Sequence, residues 1–180
     1  MPRTDKKNIL ILGGARSGKS DFAQKLALEL GGKVLFCATA EPLDEEMKIR
    51  IEAHRKSRPS CWDTIEITKN LGQELDVLCN TYDVIIIDCI TILISNIASQ
   101  ISDDRDFEPG VNLEIDNLIG YMDRRQSHFI LVSNEVGMGL VPDNRLGRLY
   151  RDSLGKVNQH LAAFADEVYV MFTGIPHKIK

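Results

Sequence analysis

Five short runs of the chain, Asn8–Leu12, Val34–Ala38, Val84–Asp88, Phe129–Ser133 and Val168–Phe172, are almost continuously apolar. A strand with one wet face alternates apolar and polar residues, so unbroken runs predict strands covered on both faces, which is the condition of a parallel sheet. Helical spacing occupies the stretches between them. Over Asp21–Leu30, Phe22, Leu26 and Leu30 recur on one face, and Gly31-Gly32 ends the pattern. A second helix is predicted from about Asp44 to Lys56 and a third after Asn70. A fourth fills Asn144–Ala165, with Leu146, Leu149, Leu154, Val157, Leu161 and Phe164 as its apolar positions. Strand and helix in alternation predict an open α/β sheet with right-handed crossovers. Thr64-Ile65-Glu66 alternates in polarity and reads as a short surface strand. Ile101–Gly110, with four acids and a proline, reads as a solvated loop.

Length and composition narrow this to one domain spanning residues 1–180, because 180 residues with 43% hydrophobic content suit a single core. With 26 acidic against 22 basic residues and a net charge of -4, the electrostatic footprint of a nucleic-acid binder is missing, so any basic site must be local. No apolar stretch approaches the roughly 18 residues that span a bilayer, and the charged start, Met1–Lys7, runs straight into the first strand; a cytoplasmic enzyme with no membrane partner is expected. Cys37, Cys61, Cys79 and Cys89 form no CxxC pair, and Cys37 and Cys89 sit in or beside apolar runs, as reduced structural thiols do.

Gly13-Gly14-Ala15-Arg16-Ser17-Gly18-Lys19-Ser20 fits G-x-x-x-x-G-K-[ST] and lies between a predicted strand and a predicted helix. The glycines let successive backbone N–H groups and the helix N-terminus face a phosphate. Lys19 then bridges the β- and γ-phosphates, and the Ser20 hydroxyl ligates Mg2+. The expected fold is therefore a P-loop NTPase with a mostly parallel, RecA-like sheet. Such an enzyme also needs an acid near the metal at the end of a neighbouring strand, and Asp88 closes Val84–Asp88. A helix cap before the apolar run that begins near Thr91 is the competing role for Asp88.

Arg50-Ile51-Glu52-Ala53-His54-Arg55-Lys56-Ser57-Arg58-Pro59 sets one imidazole among four cations. That field opposes protonation and favours a neutral, nucleophilic His54, while the same cations can hold the phosphate it attacks. Met47, Ile51 and His54 also share a helix face, so spacing alone favours a packed histidine beside a solvated charge run.

Taken together, the loop at 13–20, Ala38-Thr39, Met47, Arg50, His54, Arg58-Pro59, Trp62, Asp88-Cys89-Ile90-Thr91, Asn134-Glu135-Val136-Gly137-Met138-Gly139, Val141-Pro142, Asn144-Arg145 and Gly155–Gln159 resemble the bifunctional adenosylcobinamide kinase / adenosylcobinamide-phosphate guanylyltransferase family. The resemblance extends over nearly the whole chain, and the Asn134–Gly139 block is its most specific part. It implies phosphorylation of the aminopropanol hydroxyl of adenosylcobinamide by ATP or GTP. Transfer of GMP from GTP to adenosylcobinamide phosphate follows, through a guanylylated histidine that falls on His54. It further implies GTP contacts from Gly13–Ser20, Thr39, Ala40, Arg55, Lys56, Ser57, Arg58, Glu66 and Asp88, with Ser20 and Asp88 on the metal side, and a homotrimer. A P-loop kinase for another small metabolite would share Lys19, Ser20 and Asp88 without needing the histidine. A regulatory GTPase would carry an Asn-Lys-x-Asp motif, which the sequence lacks.

Overall fold

A computed structural model of the chain describes residues 6–41, 45–56, 58–78, 82–101 and 103–180. In chain order the elements are β1 (Asn8–Gly13), α1 (Lys19–Leu30), β2 (Val34–Ala38), α2 (Glu45–Lys56), β3 (Asp63–Glu66), α3 (Leu71–Leu78), β4 (Val84–Asp88), α4 (Ile90–Gln100), α5 (Asp104–Arg124), β5 (His128–Val132), α6 (Arg145–Phe164), β6 (Glu167–Phe172) and β7 (Ile175–Lys178). The strands form one seven-stranded sheet in the order β3-β2-β4-β5-β1-β6-β7. All neighbours are parallel except β6 and β7. β5 is inserted between β1 and β4, the RecA-like arrangement, and the loop after β1 and the acid ending β4 thus open on the same carboxyl edge.

The continuous apolar runs are strands packed on both faces. Leu10, Leu12, Leu35, Cys37, Ile85, Ile87, Phe129 and Leu131 point into one core with α3, α4, α5 and α6. Their sequence neighbours Ile9, Ile11, Val34, Phe36, Val84, Ile86, Ile130 and Val132 point into the other, which Ala23 and Ala27 of α1 help to fill. The pleat divides each run between two cores, which is why hydrophobicity never alternates along it.

Where the pattern stops being binary, the elements differ from expectation. Ile101–Gly110 is not a loop beyond Asp103: α5 starts at Asp104 and carries Pro109 inside it. The Asp103 carboxylate caps the helix by accepting from Arg105 N–H at 2.9 Å, and Asp104 and Asp106 favour the positive end of its dipole. Phe107 and Val111, each 1% exposed, hold that turn to the core despite the hydrogen bond lost at proline. Asp88 is not a helix cap; the cap position of α4 is Cys89. α1 begins two residues before Asp21, at Lys19, and ends as expected at Gly31, whose φ is 74°. β7 has no apolar run to announce it. It is formed by a tight reversal with positive φ at Thr173 (50°) and Gly174 (84°), the two-residue turn whose twist suits an antiparallel hairpin.

Candidate nucleotide site

The loop between β1 and α1 is built for close approach. A side chain at Gly13 would come within 2.7 Å of Met171 O and 2.8 Å of Ser17 Oγ, and Gly18 takes a φ of 88° as it enters α1. Both positions need glycine for steric reasons, independently of any ligand. The loop is braced from the far end of the chain: Gly174 N–H in the β6–β7 turn donates to Ser17 O at 3.0 Å. Lys19, only 7% exposed, donates its ammonium to Gly14 O at 2.6 Å and reaches Ser17 Oγ at 3.4 Å. Burial lowers its pKa, and the negative charge of Asp88 opposes that shift. The Cys89 thiol is itself pushed up to about 11 by burial, so it is neutral near pH 7 and Asp88 is the effective counter-charge.

A cleft of about 640 Å³ opens over this loop, lined by Ala15, Arg16, Ser17, Gly18, Lys19 and Ser20, and on its other walls by Ala40, Ile51, Arg58, Asp88 and Asn134. Arg58 lies with its guanidinium 3.7 Å from the centroid of the Phe36 ring. Its Nε is buried and has no hydrogen-bond partner among the described residues. Burial lowers its pKa, Asp88 and Glu66 pull it upward, and Arg55 pushes it further down. Arginine stays protonated through such shifts, so Lys19 and Arg58 are partly desolvated cations in a cleft whose lining also carries Arg16, Asp21 and Asp88. An excess of positive charge with an unpaired N–H suits a polyanion. Ser20 and Asp88 share the cleft, but no group of three His, Cys, Asp or Glu that could hold a metal ion exists among the described residues. A hydroxyl and one carboxylate fit Mg2+ only as it arrives on a phosphate chain, with water completing its shell.

The remaining expected contacts are distributed unevenly. Gly13 lies buried beneath the loop and Gly14 is exposed on it. Thr39 is fully buried and does not line the cleft: its hydroxyl accepts from Cys89 N–H at 2.8 Å and donates to Cys89 O at 2.7 Å, fixing the turn that follows Asp88. Glu66 ends β3 exposed, within electrostatic reach of Arg58. Arg55 is exposed on α2. His54 and Lys56 lie in the last turn of α2, their side chains outside the described ones, and Ser57 lies outside the described residues.

Sequence reasoning left Asn134 undecided and missed the polar lattice under the cleft. Asn134 N–H donates to Thr91 Oγ1 (2.7 Å), and Asn158 Nδ2 donates to Asn134 O (3.1 Å). Ser133 Oγ donates to Asn158 Oδ1 (2.7 Å), and Tyr150 OH donates to Thr91 O (2.8 Å). Asn96 Nδ2 donates to both Thr39 O (2.9 Å) and Thr68 O (3.1 Å). Strand ends must satisfy their last backbone groups in a dry interior, and these side chains do so. The available signal was a polar residue inside an apolar periodicity, as Asn158 stands between Val157 and Leu161.

Fold and site together define a P-loop enzyme acting on a nucleoside triphosphate. A solved structure from Pyrococcus horikoshii OT3, superposing with a TM-score of 0.55 at 8% identity over 97% of this chain and 86% of its own, shares the fold. Residues 9–179 match the family described as CobU, cobinamide kinase / cobinamide phosphate guanyltransferase. The bifunctional adenosylcobalamin biosynthesis protein CobU of Escherichia coli (strain K12) is 42% identical over 96% of this chain and 99% of its own length. Its Salmonella typhimurium counterpart is 41% identical over the same shares. The bifunctional adenosylcobalamin biosynthesis protein CobP of Pseudomonas aeruginosa is 37% identical over 95% of this chain and 96% of its own. The chain belongs to the cobinamide kinase / cobinamide phosphate guanylyltransferase family.

Proposed function

We infer that this chain is a bifunctional transferase of cobalamin biosynthesis: it phosphorylates adenosylcobinamide with ATP or GTP, then joins GMP from GTP to the new phosphate to give adenosyl-GDP-cobinamide and pyrophosphate. The observation that carries this is the cleft in which the phosphate loop, Lys19 and Arg58 converge on one volume beside Asp88, in a chain of this family. In the kinase step the acceptor hydroxyl forms a bond to the γ-phosphorus while the bond to the β,γ-bridging oxygen breaks, and the hydroxyl proton is released. The backbone amides of Gly14–Ser20 and the Lys19 ammonium hold the phosphates in line and stabilise the charge that builds on the departing diphosphate. Arg58, stacked on Phe36, supplies a fixed planar donor on the facing wall. Ser20 and Asp88 would hold Mg2+ arriving on the nucleotide, which would supply charge neutralisation to the phosphates.

In the guanylyl step His54 is the nucleophile. An imidazole nitrogen bonds to the α-phosphorus as pyrophosphate leaves, and the cobinamide phosphate oxygen then displaces histidine. The assignment is supported by the resemblance and by the position of His54 near the end of α2, the helix whose Ile51 lines the cleft and which leads toward Arg58. Arg55, Lys56, Ser57, Glu66, Thr39 and Ala40 are assigned to the GTP environment on the same basis. Thr39 acts there through the turn it fixes. A cytoplasmic homotrimer is the assembly proposed. No helix among the described residues is long and apolar enough to cross a membrane.

Incubating the protein with GTP labelled at the α-phosphate tests the guanylyl step. An acid-labile, base-stable label on wild type that is absent from His54→Ala is the expected result. A protein that phosphorylates cobinamide but takes up no label would instead be a kinase alone.

A further inference from the structure

The connection between β5 and α6 places three apolar side chains in solvent: Met138 is 79% exposed, Leu140 96% and Val141 66%, and Leu146 in the first turn of α6 is 52% exposed. Single exposed apolar residues are ordinary, but three so close together in the chain, with Leu146 following at the start of α6, ask for a partner. The backbone there is held by its own polar groups. Gly137 N–H donates to Glu135 Oε1 (2.7 Å), Arg148 Nη1 donates to Pro142 O (3.0 Å) and Asp143 O (2.8 Å), and Asn144 Oδ1 accepts from Gly147 N–H (2.7 Å). The connection is therefore built to present these side chains. It also begins at the phosphate site, since Glu135 N–H donates to Gly13 O at 3.1 Å and Asn134 lines the cleft with Lys19 and Asp88.

We propose that Met138, Leu140 and Val141 form a ledge on which the corrin macrocycle of the acceptor rests while its hydroxyl-bearing arm enters the cleft. This rests on the functional reading given above. Volume and continuity favour that occupant. A cleft of about 640 Å³ is the size of a single small-molecule site, too small for a nucleoside triphosphate and a macrocycle together, so the acceptor's bulk must lie outside it. The chain runs from Asn134 in the cleft wall, through Glu135 bonded to Gly13, to the exposed side chains, and the corrin ring is broad and methyl-bearing, suited to a ledge rather than a pocket. Seating it there also removes water from the mouth of the cleft.

The test compares the full chain with the double variant Leu140→Ser/Val141→Ser, and with Leu113→Ser as a control at an exposed apolar position on α5 (64% exposed). The ledge predicts a rise of about 10- to 100-fold in KM for cobinamide in the double variant. KM for ATP, labelling by GTP and the mass by light scattering stay unchanged, and Leu113→Ser behaves as wild type. An unchanged KM for cobinamide, or the same rise in Leu113→Ser, overturns the proposal. So does a fall in mass in the double variant, which would mean that a second copy of the chain covers the patch. Wild-type protein that phosphorylates no cobinamide at all would remove the functional reading itself, and the proposal with it.

Discussion

Replacing Thr39 by valine isolates what holds the acid end of β4 in place. The two side chains have nearly the same shape, so packing is preserved while the hydroxyl is lost. In the native protein that hydroxyl accepts from Cys89 N–H at 2.8 Å and donates to Cys89 O at 2.7 Å, at a residue with no exposed surface. The carbonyl keeps a second partner, because Leu93 N–H also donates to Cys89 O at 3.2 Å, whereas the Cys89 N–H donates to Thr39. The variant therefore leaves a buried N–H unpaired, costing about 1–3 kcal/mol, and weakens the carbonyl by somewhat less than about 1 kcal/mol. A total near 2–3 kcal/mol corresponds to a fall in Tm of about 4–10 °C for a chain of this size. Because Asp88 directly precedes the released turn, kcat/KM of the kinase reaction should fall about 10- to 100-fold. Urea denaturation and steady-state kinetics read the two effects separately, and Thr39→Ser, which keeps the hydroxyl, should recover most of both. A Thr39→Val protein within about 0.5 kcal/mol of wild type would refute the claim that this hydroxyl is structurally required.

Three further outcomes follow from the same geometry. Glu114 is 7% exposed on α5 and accepts from Asn70 N–H (2.9 Å) and Leu71 N–H (2.7 Å) at the start of α3, so Glu114→Ala should cost about 2–4 kcal/mol in thermal unfolding. Arg58→Lys keeps the charge but loses the planar stack on Phe36, and should raise KM for GTP about 10-fold with little change in stability. Glu167 is held at a pKa of about 2, below its ordinary 4.5, chiefly by the hydrogen bond from Lys7, with Tyr169 and Lys178 adding to it. Its folded pKa is depressed, so its contribution is complete above pH 4.5 and disappears as pH falls through 2. Glu167→Gln should therefore cost about 1–2 kcal/mol at pH 7, discounted because its lysine partners are half exposed, with a gap that closes in acid.

Most of the sheet was legible because burial on two faces leaves a signal in single residues: Val84–Ile87 can scarcely be anything but a central strand. The phosphate loop was legible because steric need fixes glycine at 13 and 18 in a recognisable order. The start of α5 was not, since four acids and Pro109 look like a loop until Phe107 and Val111 are seen to pack beneath them. Thr39 was expected among the nucleotide contacts, and its hydroxyl is bonded to Cys89 behind the cleft lining, because a sequence shows that a hydroxyl is present and not which backbone groups it must satisfy. Asn134 was ambiguous for the same reason, its place depending on contacts with Thr91 and Asn158 in distant elements.

The strand that carries the phosphate loop has both neighbours, β5 and β6, in the last third of the chain, and the loop itself is tied at Ser17 to the turn at Gly174. β1 is thus synthesised well before either of the strands that complete it. During synthesis the glycine-rich segment lacks β6 and the tie from Gly174 until the β6–β7 hairpin docks, so a nascent or truncated chain can display the full motif without a fully braced loop. Affinity for nucleotide then becomes a readout of completed folding.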